Sequence, residues 1–217
     1  MSLRELFTSL NLLTTITDID SDSGDYIAVY QANGTVAKKI TVDNLYKGIM
    51  DVYIPASAMW PRTTSGCATL AKTELSTNKI NIQSLDFDAS TAEYAQFIWK
   101  LPRQYDGSTI TFVPDWTAAS GSGDVIWKLS GRAYANDDAL DQAQGTAQSS
   151  TDTLITANDQ HEGPASSAIT LGGSPAGGQL VLFEVYRDAA AGGDTLGVDA
   201  KLLGVTLRIG INKKASA

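Results

Sequence analysis

The sequence predicts a mainly β protein: an antiparallel, jelly-roll-like β-sandwich over residues 51–217, preceded by a small helix–hairpin–helix module over residues 1–50. Three observations lead there. Short apolar segments with period-two alternation recur through residues 51–217, separated by glycine-rich turns. An Asn33-Gly34 pair joins two β-rich segments ahead of them, and such a pair suits a type I′ hairpin turn because both central residues need positive φ. Hydrophobic residues make up 43% of the chain against 18% charged, enough apolar material for a packed core.

The elements follow in chain order. Ser2 and Glu5 have the spacing of a capping box, and Leu3, Leu6, Phe7, Leu10 and Leu13 then recur at helical spacing to form one apolar stripe. A helix of about ten residues is marginal alone, so this stripe is expected to need a partner surface. Asp18 to Asp25 is a polar linker. Tyr26–Tyr30 and Val36–Val42 are the arms of the hairpin, and a short helix is expected over Asp43–Met50. A unit of this size buries too little to stand alone, which implies docking.

Beyond it, strands are expected at Val52–Trp60, Lys79–Phe87, Tyr94–Leu101, Ser108–Trp116, Asp124–Tyr134, Thr151–Thr156, Ala168–Leu171, Gly178–Arg187 and Ala200–Ile211. One helical turn is expected at Asp137–Gln144, where Ala139, Leu140 and Ala143 share a face. Val181, Phe183 and Val185 are the expected core phase of their strand. The last strand places Leu203, Val205, Leu207, Ile209 and Ile211 in one phase. Eight or nine such strands with frequent turns fit a sandwich or barrel.

Composition removes several classes of function. The net charge is −8, which opposes nucleic acid binding, since that requires a basic face to neutralise phosphates. The apolar runs are far shorter than a membrane helix needs, and no secretory leader is expected from a start that carries Glu5. A single cysteine, Cys67, excludes an internal disulfide, and a single histidine, His161, excludes a histidine-rich metal centre within one chain.

The remaining candidates for chemistry have plainer readings. His161 has no G-x-S-x-G elbow to serve and is expected in a solvated loop. Asp18, Asp20 and Asp22 resemble the start of a calcium loop, but position six is Ser23 and position twelve is Val29, so a solvated linker is preferred. Asp86, Asp88, Asp106 and Asp115 read as turn residues at strand ends rather than a glycosidase pair. Trp60, Trp99, Trp116 and Trp127 could form a sugar-stacking platform, though packing is the preferred reading. Cys67 is expected to be a buried or half-buried bystander. No catalytic, cofactor or metal residues are assigned, and no enzyme activity is expected.

Two groups of motifs resemble structural proteins of tailed-phage virions. The segment Gly24–Tyr30 followed by Val36-Ala37-Lys38-Lys39-Ile40-Thr41-Val42-Asp43-Asn44-Leu45 is similar to the N-terminal module of many phage fibre and head-associated proteins. Across residues 54–211, Ile54-Pro55-Ala56, Leu85-Asp86-Phe87-Asp88, Glu93-Tyr94-Ala95-Gln96-Phe97, Gly172-Gly173-Ser174-Pro175 and Asp199–Val205 occur in the order of a β-sandwich domain common in such proteins. This resemblance implies a non-enzymatic virion protein, expected to be a homotrimeric capsid cement or decoration protein on the capsid surface, with the major capsid protein as partner. The alternative it leaves is a short head or tail fibre that binds a host surface glycan. Anchoring is expected through Leu3, Leu6, Phe7, Leu10, Leu13, Tyr26, Val29, Tyr30, Lys38 and Lys39.

Overall fold

The structure, a computed structural model, describes residues 26–30, 37–41 and 47–212. The chain divides into two compact units, Met1–Lys47 and Gly48–Ala217. In the first, strands β1 (Tyr26–Tyr30) and β2 (Ala37–Thr41) pair antiparallel, with Tyr26 opposite Thr41 and Tyr30 opposite Ala37. These are the expected hairpin arms; the Asn33-Gly34 turn lies outside the described residues. The expected helix bearing Leu3 to Leu13 and the acidic linker Asp18–Asp25 lie outside the described residues.

The second unit is an antiparallel sandwich of two sheets. Its strands are β3 (Lys47–Pro55), β4 (Trp60–Pro61), β5 (Ala71–Glu74), β6 (Asn81–Phe87), β7 (Glu93–Lys100), β8 (Tyr105–Thr117), β9 (Gly123–Tyr134), β10 (Gln148–Leu154), β11 (His161–Glu162), β12 (Leu180–Arg187) and β13 (Ala200–Asn212). One sheet has the order β10-β9-β12-β7-β4. The other has β11-β8-β13-β6-β5, with β3 paired to β13. From β6 to β9 each strand joins the sheet opposite its predecessor, the crossing pattern of a jelly roll, and both inner faces are therefore covered.

Alternation decides which side chains meet between the sheets. Val125, Trp127 and Leu129 of β9, Phe97 of β7 and Val181, Phe183 and Val185 of β12 point inward from one sheet. They meet Leu85, Phe87, Phe112, Trp116, Val205 and Leu207 from the other. Phe87 and Trp127 meet edge to face with ring centroids 5.1 Å apart, and Phe97 stacks on Phe183 at 5.0 Å. Gly131 interrupts the inward row of β9 because a Cβ there would lie 2.8 Å from both Phe183 and Leu171.

Four expectations are corrected. Residues 47–50 are strand, not the end of a helix. Gly48, Met50, Val52 and Ile54 turn inward in strict alternation, so the period is two and β3 starts well before Val52. The helical turn at Asp137–Gln144 is absent, because Asp137 has φ 71° and the Asp138 carboxylate accepts the Ala135 N–H at 2.8 Å. Ala168–Leu171 contributes only a single bridge, from Ile169 to Ile110. In β13 a bulge between Leu202 and Gly204 moves the phase: Ala200 and Leu202 are buried before it and Val205, Leu207 and Ile209 after it, leaving Leu203 outward.

One buried polar residue breaks the apolar row of β12. Arg187 is fully buried, and all five of its N–H donors are used. Its Nε and one terminal nitrogen grip Asp194 at 3.1 and 2.7 Å, and the rest donate to the carbonyls of Phe87, Val198 and Leu196. Asp194 also accepts the Ile126 N–H at 3.0 Å. Removing one partner of such a pair strands the other charge in a dry site, so Arg187→Met is expected to cost about 3–5 kcal/mol in a chemical denaturation series. A loss well under about 1 kcal/mol would mean that the loop is held by something else.

The β6–β7 connection is an acid-sensitive joint. The Asp88 Oδ1 accepts from the backbone and side chain of Ser90 and of Thr91, while the Asp88 N–H donates to Glu93 at 2.8 Å. The Ser90 and Thr91 donors lower the Asp88 pKa to about 2. An unfolded aspartate titrates near about 3.9, so the stabilisation is present above that pH and is lost as pH falls towards about 2. Asp88→Asn is therefore expected to lower the melting temperature near neutrality, with the difference from wild type closing at about pH 2.

Candidate functional site

The outer face of the five-stranded sheet carries the most developed surface on the sandwich. Because β12 buries Val181, Phe183, Val185 and Arg187, it must present Leu180, Leu182, Glu184 and Tyr186 on the other side. Register then builds rows across the sheet. Tyr94, Tyr186 and Lys128 form one row, and Trp60, Gln96, Glu184 and Ser130 the next. Ile98, Leu182 and Arg132 follow, then Lys100, Leu180 and Tyr134.

The first two rows are locked by polar contacts. The Arg62 guanidinium carbon sits 3.7 Å from the centre of the Tyr94 ring, and Tyr94 packs on Tyr186 with centroids 4.7 Å apart. Glu184 accepts from Arg62 at 3.3 Å and from the Gln96 Nε2 at 2.9 Å. Lys128 donates to Asp188 at 2.6 Å, and that hydrogen bond holds its pKa above the ordinary lysine value. Burial raises the Tyr186 pKa, with Lys128 opposing the rise.

Beside this polar half lies an apolar one. Trp60 is 42% exposed, Ile98 47% and Leu180 38%, although all three sit within ordered strands or at their ends. Trp60 stands at the β4 edge, three strands from β9, so the platform is roughly 14 Å wide at a strand spacing of about 4.8 Å.

The six-stranded sheet offers a different surface. Two adjoining clefts, of about 360 and 290 Å³, share Ile82 and Leu203 as walls. Tyr53 borders the first, and Thr117 and Lys201 the second. Burial raises the pKa of the Tyr53 hydroxyl, with Asp115 adding to the effect.

The residues singled out in the sequence fall as follows. His161 is corrected: it is buried in β11, its ring 5.0 Å from Trp116 and its Nε2 3.0 Å from the Thr156 carbonyl oxygen. A two-residue strand between polar loops has too little pattern to show in the sequence. Trp116 and Trp127 are core and Trp99 is partly buried, whereas Trp60 alone of the four is classed as exposed. Cys67 is buried, which pushes its thiol up to about 12, with Glu93 adding to the shift. Asp88 follows β6 and accepts from Ser90 in the turn, and Asp106, at the start of β8, accepts the Ser108 N–H at 2.9 Å; Asp86 lies within β6 and pairs with Lys201, and Asp115 lies within β8 and accepts from Gln160 at 2.8 Å. Among the described residues no three His, Cys, Asp or Glu side chains form a metal-holding group. Of the expected anchoring residues, Tyr26, Val29 and Tyr30 lie on β1 and Lys38 and Lys39 on β2, with Val29 opposite Lys38. Leu3, Leu6, Phe7, Leu10 and Leu13 lie outside the described residues.

The chain matches no family model and no curated protein. Among solved structures it is similar to the CBM22-1–GH10 modules of Clostridium thermocellum endo-1,4-β-D-xylanase 10B complexed with xylohexaose. The identity is 15% over 76% of this chain and 29% of that one, with TM-score 0.41. It is also similar to the CBM22-2 xylan-binding domain of Paenibacillus barcinonensis Xyn10C, at 12% identity over 70% of this chain and 91% of that one, TM-score 0.39. A third is the mannan-recognising carbohydrate-binding module TmCBM27, at 11% identity over 75% and 98% of the two chains, TM-score 0.36.

Proposed function

We propose that this chain is a non-enzymatic surface protein of a tailed-phage virion whose sandwich binds a host glycan on the outer face of the five-stranded sheet, with residues 1–50 as its attachment module. The order of virion-type motifs along residues 24–45 and 54–211 supports the setting. The observation that carries the binding role is the platform itself: an exposed Trp60 beside Ile98, bordered by the ordered Gln96–Glu184–Arg62 array.

A pyranose has an apolar C–H face and an equatorial rim of hydroxyls that both donate and accept. The indole and the aliphatic patch suit the first, and the amide, carboxylate and guanidinium suit the second. Because Glu184 and Gln96 are held by each other and by Arg62, little side-chain freedom is lost when a ligand docks. Trp60→Ala is expected to weaken glycan binding by at least about tenfold in calorimetric titration of the full chain. Its stability should stay within about 0.5 kcal/mol of wild type, since the side chain is a surface one. Undiminished binding by the folded variant would remove this face from the reading.

The second reading is a homotrimeric cement protein bound to the major capsid protein, and one observation favours it. Strand β2 ends at Thr41 and β3 begins at Lys47, so the sequence between hairpin and sandwich is too short to form a shaft. Light scattering on the full chain separates the cases: a mass of three times 23.0 kDa supports the trimer, and a clean monomer counts against it.

A further inference from the structure

We infer that the glycan taken by this face is anionic, its carboxylate or sulfate seated against Arg132 with Lys100 as the second cation. This rests on the glycan-binding reading above. The argument starts from which cations on the face already have a carboxylate. Arg62 is paired with Glu184 and Lys128 with Asp188, so the Tyr94 end of the platform is internally neutralised. At the other end the pattern stops. Arg132 donates one terminal nitrogen to the Ala143 carbonyl at 3.0 Å, leans towards the Tyr134 ring at 5.9 Å, and has no carboxylate partner among the described residues. Its Nε is buried with nothing to receive its hydrogen. Lys100 is exposed in the next row, also without a carboxylate among the described residues.

That covered Nε is out of a ligand's reach, but the second terminal nitrogen makes no hydrogen bond among the described residues and is not covered, so it is the donor an anion would meet. That donor is more notable here because the whole chain carries a net charge of −8, with acidic groups in excess. Leu182 and Ile98 share the Arg132 row, so an anion there would be flanked by apolar side chains, where a charge-assisted hydrogen bond is stronger than in open water. Trp60 lies three strands away from β9, so one sugar can stack on the indole while an acidic residue further along the same oligosaccharide reaches Arg132.

The test uses the full chain and a panel of uronate, sialate and sulfated oligosaccharides, each beside its carboxyl-reduced or desulfated twin. The expected result is that acidic members bind at least about tenfold more tightly than their neutral twins, with the margin shrinking as salt rises. Arg132→Gln should erase that margin and Lys100→Gln reduce it. Lys72→Gln, which removes the same charge from an exposed site on the other sheet, should leave it intact. Equal binding of acidic and neutral twins, abolished by Trp60→Ala, overturns the anionic assignment and leaves the glycan reading standing. Acidic preference that survives Arg132→Gln also overturns it. Silence across the whole panel overturns both.

Discussion

The buried pair of Arg187 and Asp194 is the constraint on which the rest of the sandwich depends. Arg187 ends a strand of the five-stranded sheet, yet it donates to the carbonyl of Phe87, the last residue of β6 in the other sheet. Through Asp194 it reaches Ile126 on β9, and through the carbonyls of Leu196 and Val198 it fixes the loop that leads into β13. Thr195 and Leu196 in turn donate to the carbonyl of Asp124. One guanidinium thus ties both sheets and a loop together at one end of the sandwich. Desolvating it is expensive, and the cost is offset only because every donor is met. The three carbonyls and the carboxylate around it form an oxygen cage of the kind that suits a hard cation, here filled by the protein's own side chain.

The same residue sets the register of the candidate site. Since side chains alternate along a strand, burying Arg187 forces Tyr186, Glu184 and Leu182 outward. A slip of one residue would place Glu184 in the core and Phe183 on the surface, so the clamp and the platform cannot be arranged independently. Pairing to β7 and β9 then carries the constraint sideways, putting Gln96 and Ser130 beside Glu184 and Ile98 and Arg132 beside Leu182. The electrostatics follow the same geometry. Overall negative charge repels an anion at long range, but at physiological salt that field fades over about 8 Å, within which the local cations dominate.

Much of this fold can be read in the sequence where pattern is strong. The core phase of β12 and the limits of β7 and β9 follow from alternation over seven or more residues bounded by turns. The pattern is silent where geometry departs from period two. The bulge at Leu202–Gly204 takes Leu203 out of phase with Val205, Leu207 and Ile209, and nothing in the apolar run Leu202-Leu203-Gly204-Val205 announces such a shift. Asp137–Gln144 has helix-like spacing, but a left-handed Asp137 overrides it. The four tryptophans mark a possible sugar platform without saying which of them is outside. Trp60 is distinguished only by its place on a two-residue edge strand, with no strand beyond β4 in that sheet among the described residues. Arg132 carries no sequence signal at all, because being unpaired is a property of its neighbours and not of its own context.

Inward and outward residues on β12 answer to different constraints. Exchanging Phe183 or Arg187 disturbs packing between the sheets, where no slack exists to absorb a change of volume or charge. Leu180 and Lys100 face outward and are exposed, while Leu182 and Arg132 beside them are half-buried on the same face. Substitutions at Leu180 and Lys100 can alter the charge and shape offered to a ligand at little cost in stability. The Glu184 array is intermediate, since its carboxylate is nearly buried and holds both Arg62 and Gln96. That ordering gives the platform a rigid half and a variable half. The rigid half is fixed by the Glu184 contacts, and the half around Leu180 and Lys100 is where the surface could change its charge and shape with least disturbance to the fold.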